Sequence, residues 1–315
     1  MFTEQLPLFS SPPLETETAP LPHSALGLNA ATPLKAVIVA WRHYMEKEDV
    51  SLNTIKAFGG DLNLFAQHVG ASKSVGQLTT RELNDWLQWQ RTTKKCSPKT
   101  YARRVTSLKS FFRWLNHDRV IYKDPAAALV QHTVLSPLPE YLKSSEVEQA
   151  LQAAQALSQA EKPDLRPLLL FRLLLQTGMK KSECLGLSLN HLDLANADEP
   201  VVWVRYPDTR HRYKERKLKL EKSWVALYRQ YLAQYAPTEK VFPWSPRRLE
   251  YLLEDISQTA GLTKHISFEM CRWTCAVRDA QAGMDYNSIR QKLGLSKIQW
   301  REIGMKLERL VEEAT

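Results

Sequence analysis

The 315-residue sequence has no long apolar run and few cysteines. None of its apolar runs approaches the roughly 18–20 residues that cross a bilayer, so the sequence predicts no membrane span. Its first residues hold acids and prolines where a secretory signal has a basic start and an apolar stretch. Four cysteines without paired spacing indicate reduced thiols and predict a cytoplasmic protein. Cys271 and Cys275 lie four residues apart without a second ligand pair, which predicts packing thiols and neither a metal nor another cofactor.

Basic residues are missing from the start of the chain. Residues 1–32 contain three glutamates and no Lys or Arg, and the whole chain carries +9, which leaves +12 on the remaining 283 residues. Residues 1–33 are rich in Pro, Ser and Thr without a helical period, so we predict a disordered tail there. The basic charge of the rest favours a polyanionic partner, of which nucleic acid is the commonest.

The remaining sequence indicates two domains. Residues 34–129 read as a helical domain of four helices, with Ser51, Thr79 and Ser97 as helix caps. Residues 130–142 hold two prolines and few regular signals, which is typical of a linker. Residues 143–315 predict a mixed α+β domain, and the expected fold is therefore mainly α with a small antiparallel sheet.

Helices are predicted over most of the second domain. They are expected near residue 144 and over 166–176, 182–190, 223–235, 246–260, 267–283, 286–294 and 297–313. The alternating segments "EPVVWVRYP" and "RKLKLEK" flank "DTRHRYKE" and predict a hairpin with a long, flexible turn.

The fourth helix of the first domain carries a polar stripe beside its apolar one. This stripe follows spacings of three and four and consists of Lys99, Arg103, Thr106, Ser110 and Arg113. Cations and hydroxyls in such a row suit the phosphates and base edges of a groove. A solvated helix face explains the same pattern. The preceding Arg91, Lys94 and Lys95 favour DNA.

Two further segments are unusually basic. Residues 205–222 hold eight Lys or Arg against three acids, so the hairpin can reach a groove or hold a phosphate. Its charge would equally protect an exposed sheet edge from aggregation. In "LLLQTGMKKSECLGL", Lys180 and Lys181 follow a glycine corner between two apolar segments, and cations at a buried corner indicate an anion.

The order of several segments resembles the tyrosine recombinases, the phage-integrase and Xer-like enzymes that cut and rejoin DNA. The resemblance covers about residues 34–310. It is carried by "SLNTIKAFGGDLNLFAQHV", "SPKTYARRVTSLKSFFRWL", "LLLQTGMKKSECLGLSLNHLDL", "YKERKLKL", "VFPWSPRRLEYLLEDISQTAGL", "FEMCRWTCAVRDAQAGMD" and "IRQKLGLSKIQW". It implies a helical, SAM-like core-binding domain before a recombinase-like domain, the two closing as a clamp on duplex DNA.

The resemblance also implies a catalytic site, and this sequence departs from it. In the family a tyrosine attacks the scissile phosphate, and two arginines, a hairpin lysine and histidines or tryptophan assist. The corresponding positions here are Lys180, His211 (with Lys214 as a substitute), Glu269, Arg272, Leu295 and Gly304. The last tyrosine in the chain, Tyr286, precedes the Leu293-Gly294 segment. The expected nucleophile is therefore missing.

The other departures agree with this loss. A carboxylate at Glu269 would repel a phosphate, and Lys180 keeps the charge of an arginine without its bidentate fork. We therefore predict a recombinase-like protein that binds duplex DNA without cutting it. The predicted DNA contacts are Lys94, Lys95, Lys99, Arg103, Thr106, Arg113, Lys180, Arg210, Arg212, Lys214, Arg247 and Arg272.

Two other functions stay open at this point. One is strand transfer through a non-standard nucleophile or one supplied in trans, and the other is a protein-interaction scaffold that has lost DNA binding. The expected partners are duplex DNA, a related active recombinase or a second copy of the chain. Self-association would use "SKIQWREIGMKLERLVEEA", whose apolar face can instead pack within its own chain.

Overall fold

The computed structural model describes residues 27–130, 137–196 and 198–314. Most of the predicted tail and residues 131–136 of the predicted linker therefore lie outside the described residues. The chain separates into two compact units at the boundary between Ser136 and Pro137. Across the ranges described, no helix is long and apolar enough to cross a membrane.

The four predicted helices of the first unit are confirmed. They are α1 (Leu34–Lys47), α2 (Leu52–Val69), α3 (Thr80–Thr92) and α4 (Pro98–His117), with a 3-10 turn at Val75–Gln77. Ser51 and Ser97 accept backbone N–H groups as N-caps, and Thr79 forms a reciprocal capping box with Glu82. These caps satisfy N–H groups that have no partner within the helix.

The apolar stripe of α4 lies in the core of the first unit. Val105, Leu108, Phe112 and Leu115 are all fully buried. Burial of such side chains contributes about 1.5–3 kcal/mol each, so this face fixes the rotation of the helix. The members of the polar stripe are exposed or half-buried.

The second unit is mostly helical. Its helices are α5 (Ser144–Ser158), α6 (Arg166–Thr177), α7 (Lys181–Leu185), α8 (Lys222–Tyr235), α9 (Pro246–Thr259), α10 (Phe268–Gln281), α11 (Tyr286–Lys292) and α12 (Lys297–Ala314). The helix predicted over 182–190 is wrong in length, because α7 ends before Gly186 and a separate 3-10 turn follows at Leu189–His191. Glycine costs about 1 kcal/mol in a helix interior, which favours an end at that point.

The small sheet has three antiparallel strands in the order β1 (Leu192–Asp193), β2 (Val201–Val204) and β3 (Arg216–Lys219). The predicted hairpin is confirmed, with Val202 opposite Leu218, whereas β1 was not predicted. The turn between β2 and β3 is long, as predicted. It contains a 3-10 helix, Thr209–Lys214. Asp208 caps this helix, because its carboxylate accepts a hydrogen bond from the Arg210 N–H.

Segments at both ends of the second unit pack onto its helices. The Leu142 N–H donates to Thr274 Oγ1 at 2.9 Å, so the last part of the predicted linker is held against α10. Leu307 and Leu310 of α12 are buried in one cluster with Val277 of α10. The apolar face of α12 therefore packs within its own chain. Cys271 and Cys275 are also buried, as packing thiols are.

Candidate anion site

The lysine-bearing corner after α6 is built on a glycine. Gly178 ends the helix in the left-handed conformation, with φ of 59°. A Cβ atom at Gly178 would lie 2.7 Å from Leu293 Cδ2, which is too close for two carbon atoms. The turn places Lys180 immediately before α7, where its backbone N–H donates to Glu183 Oε2 at 2.8 Å. The corner therefore brings an ammonium group next to the segment around Leu293.

Arg272 ties this corner to that segment. Its Nη1 donates to the carbonyl of Gly178 at 2.5 Å, and its Nη2 donates to the carbonyl of Leu293. Glu269, three residues before Arg272, is exposed, and these two donors of Arg272 are directed at carbonyls instead. Burial lowers the pKa of Arg272 to about 10. The guanidinium stays charged at neutral pH and is only partly hydrated.

A buried ion pair lies beside the corner. Arg216 donates from Nη1 and Nη2 to the two oxygens of Glu183, at 3.0 and 2.9 Å, and the Tyr206 hydroxyl also donates to Glu183. The side chains of Glu183 and Arg216 are 1% and 8% exposed. Burial alone would raise the pKa of Glu183, but the hydrogen bonds and charge of Arg216 lower it overall. Glu183 therefore stays ionised.

Lys180 is half-buried among other cations. Burial lowers its pKa, and the charge of Arg272, then those of Lys214 and Arg216, lower it further against the opposing charge of Glu183. We call this group, four cations around one carboxylate, the cationic site. Its charge is net positive and partly removed from water, where ionic attraction is stronger than in bulk solvent. Such an arrangement can hold a phosphate-sized anion.

The position expected for the nucleophilic tyrosine is occupied by a glycine. Gly304 is buried within α12, and a Cβ atom there would lie 3.0 Å from Trp300 Nε1. The indole of Trp300 thus lies against the glycine, one helical turn away. The position expected for a histidine, Leu295, is buried with the apolar cluster of α10 to α12. Neither position supplies a polar side chain.

The structure brings only some of the predicted site residues together. Lys180, Lys214 and Arg272 belong to the cationic site, and the ring of His211 contacts Tyr206 edge-on at 5.8 Å between centroids. Arg210 pairs with Asp208, and Arg212 is exposed on the 3-10 helix. Arg247 lies on α9, where its Nε donates to the Tyr251 hydroxyl at 2.6 Å. Arg210, Arg212 and Arg247 are therefore not among the residues of the cationic site.

The sequence reasoning missed three residues of the site as contributors. Glu183, Tyr206 and Arg216 form its more buried part, and none of them was predicted to be a site residue. The available signal was a glutamate three residues after Lys180 and an arginine at the start of β3. Nothing in the local pattern shows that these two charges meet.

The polar stripe of α4 is only partly available to a ligand. Lys99 and Arg113 are exposed, whereas Thr106 donates to the carbonyl of Ala102. Arg103 was predicted to contact DNA, but its Nη1 donates to Asp61 Oδ2 at 2.6 Å and to the carbonyl of Ala57. Asp61 is 2% exposed, so this bond joins α4 to α2 within the first unit.

The connection before α4 carries the two remaining predicted DNA contacts. Lys94 and Lys95 are both exposed. The ammonium of Lys94 lies 4.9 Å from the centre of the Trp89 ring, a distance at which the two attract each other. Both lysines therefore extend the exposed positive charge of α4 toward α3.

Substitution of Gly178 by alanine is expected to lower the free energy of unfolding by about 2–4 kcal/mol. Both the positive φ and the contact with Leu293 oppose a side chain there. Gly283→Ala is the matched control, because Gly283 has φ of 83° but no atom within 4 Å of an added Cβ. We expect a loss of about 1 kcal/mol for the control in urea unfolding. Equal losses in the two variants would contradict the contact with Leu293.

Comparison with known proteins identifies two domain families in the chain. Residues 140–303 match the model of the phage integrase family, and residues 38–119 match the phage integrase N-terminal SAM-like domain. The chain is 25% identical over 280 residues to tyrosine recombinase XerD of Listeria innocua, covering 82% of this chain and 89% of that protein. It is 28% identical over 265 residues to XerC of Lactobacillus delbrueckii subsp. bulgaricus, covering 80% and 87%.

Solved structures share the fold. XerH recombinase bound to difH before cleavage is 17% identical with a TM-score of 0.69, covering 91% of this chain and 99% of that one. The Tn1549 transposon integrase with a circular intermediate DNA is 18% identical with a TM-score of 0.68, covering 89% and 99%. The match to the phage integrase family model over more than half of the sequence shows that this chain belongs to the phage integrase family of tyrosine recombinases, with a function in DNA recombination.

Proposed function

We propose that this protein binds duplex DNA through its cationic site and the exposed cations of both units, and that it does not cleave the DNA. The observation that carries the proposal is Gly304, which has no hydroxyl to act as a nucleophile and lies against the indole of Trp300. The cationic site nevertheless keeps its charges. Affinity for DNA comes largely from neutralising phosphates, which needs no nucleophile.

The cationic site is proposed to hold one backbone phosphate. Lys180 and Lys214 supply charge, and the carbonyl bonds of Arg272 fix the corner that presents Lys180. Because Lys180 offers a point charge, it cannot clamp two phosphate oxygens as an arginine can.

Exposed cations on both units would supply the remaining affinity. On the first unit these are Lys94, Lys95, Lys99 and Arg113, and on the second they include Arg212 and Arg247. Arg103 is assigned a different role here. Through Asp61 it fixes α4 on α2, so its loss would affect DNA binding by way of the fold.

Strand transfer through a non-standard nucleophile remains the second candidate, and Tyr206 is the observation that favours it. Its hydroxyl lies in the cationic site and donates to Glu183, which could accept the proton. However, burial and the neighbouring carboxylate raise the pKa of Tyr206. Glu183 is a weak base, since Arg216 lowers its pKa. Both pKa shifts oppose the loss of the Tyr206 proton, which favours Tyr206 as a structural hydroxyl.

The test uses a nicked suicide duplex taken from DNA that flanks the gene, with wild-type protein and Tyr206→Phe. We expect a salt-dependent gel shift for both proteins and no covalent protein–DNA adduct in denaturing gels. An adduct with wild type that is lost in Tyr206→Phe would establish the second candidate instead. An adduct with both would show another nucleophile. No shift at low salt would favour a protein-interaction scaffold.

A further inference from the structure

The hairpin between β2 and β3 presents an aromatic side chain at its outer end. Tyr213 is 64% exposed, although it lies in the 3-10 helix Thr209–Lys214 rather than in an irregular loop. A single exposed ring is common at a protein surface, so the groups around it decide whether it can bind a ligand. The surroundings of this ring indicate what that ligand could be.

The backbone that carries Tyr213 is held in place. At one end, the Tyr206 N–H donates to Glu215 Oε1 at 3.0 Å and the Tyr206 hydroxyl donates to the buried Glu183. At the other end, Arg216 is fixed by Glu183 and by the carbonyl of Lys292. Both ends of the connection are therefore tied to the cationic site. A ring on such a support loses little conformational freedom when it binds.

Positive charge lies on the residues that flank Tyr213 in the sequence. The Lys214 ammonium lies 5.1 Å from the centre of the Tyr213 ring, and Arg212 beside it is exposed. On the sheet itself, Arg205 and Lys217 lie 5.5 and 5.7 Å from the centre of the Trp203 ring. Cations that follow a phosphate backbone, together with aromatic rings, are the combination that binds unpaired nucleotides.

The two tyrosines of the hairpin connection differ in what they can do. Tyr206 is half-buried and its hydroxyl is used within the site, so its role is internal. Tyr213 has an exposed ring and cations on the neighbouring residues. A fully paired duplex offers phosphates to these cations, but its base faces are covered by neighbouring base pairs. Only an unpaired base would give Tyr213 a stacking partner.

We propose that Tyr213 stacks on an unpaired base, so that the hairpin favours DNA with unpaired nucleotides beside a duplex over fully paired DNA. This inference rests on the proposed DNA binding and specifies the DNA structure that is preferred. The neighbouring cations hold the backbone on either side of that base. Stacking of one base on an aromatic side chain increases affinity on the order of 10-fold.

The test compares three DNAs by fluorescence anisotropy: a perfect duplex, the same duplex with a central bulge, and a bulge of abasic nucleotides. The abasic bulge keeps the phosphates and the flexibility but has no base to stack. Wild-type protein is expected to bind the base-containing bulge on the order of 10-fold more tightly than the other two. Equal affinity for the two bulges would overturn the proposal.

The variants are Tyr213→Ala, Tyr213→Phe and the control Tyr122→Ala, which removes a tyrosine that is 72% exposed on the first unit. Only Tyr213→Ala should lose the preference, while its affinity for perfect duplex stays unchanged. An unchanged preference in Tyr213→Ala, or an equal loss on all three DNAs, would overturn the proposal. If no DNA bound at low salt, the proposed function itself would fail, which is a separate outcome.

Discussion

Glu183→Ala is expected to lower the free energy of unfolding by about 3–5 kcal/mol. The substitution leaves the Arg216 guanidinium buried, at 8% exposure, without its carboxylate, and it also removes the acceptor of the Tyr206 hydroxyl. Urea unfolding at neutral pH measures the effect. Glu199→Ala is the matched control, because its partner Lys219 lies 3.4 Å away with both side chains mostly exposed. Pairs of that kind contribute about 0–1 kcal/mol.

A double variant and the pH dependence test the cause of this loss. Glu183→Leu with Arg216→Met removes both charges, so it should be more stable than Glu183→Ala.

Since Arg216 lowers the pKa of Glu183 below that in the unfolded chain, the stabilisation is present above the ordinary carboxyl pKa. It is lost as the pH falls through the lower, folded value. Equal stability of Glu183→Ala and Glu199→Ala would contradict the buried pair.

The second large effect is expected in DNA binding. Replacing Lys99, Arg113 and Arg212 together by alanine should weaken the binding of perfect duplex on the order of 100-fold at low salt. All three are exposed, unlike Arg103, which is held by Asp61. The slope of log affinity against log salt should fall by roughly 2–3, about 0.9 for each phosphate that the variant no longer neutralises.

A triple variant of equal charge separates the effect of these three positions from that of net charge. Arg42, Arg81 and Lys162 are also exposed, and their replacement by alanine removes the same three positive charges. We expect the affinity and the salt slope of this control to stay close to wild type. If both triple variants bound equally weakly, binding would depend on overall charge alone, and the proposed surfaces would be wrong.

Sequence signals determined the elements of this protein. Three of the four helices of the first unit begin after a capping residue that can be read from the sequence, such as Ser97 followed by Pro98. The alternation before and after residues 205–215 likewise gave β2 and β3. These signals are local, because caps act within about three residues and strand periodicity within two. The absence of any tyrosine after Tyr286 can also be read directly from the sequence.

Tertiary contacts decided what the charged side chains do. Arg103 meets Asp61 across 42 residues, and Arg216 meets Glu183 across 33, so neither pairing has a local pattern. The sequence alone placed Arg103 on a DNA-binding stripe and left Glu183 unnoticed. Only the packing of α2 against α4, and of the hairpin against α7, determines which of these charges meet. Burial then decides their chemistry, since a paired charge holds the fold while an exposed one is free to bind a phosphate.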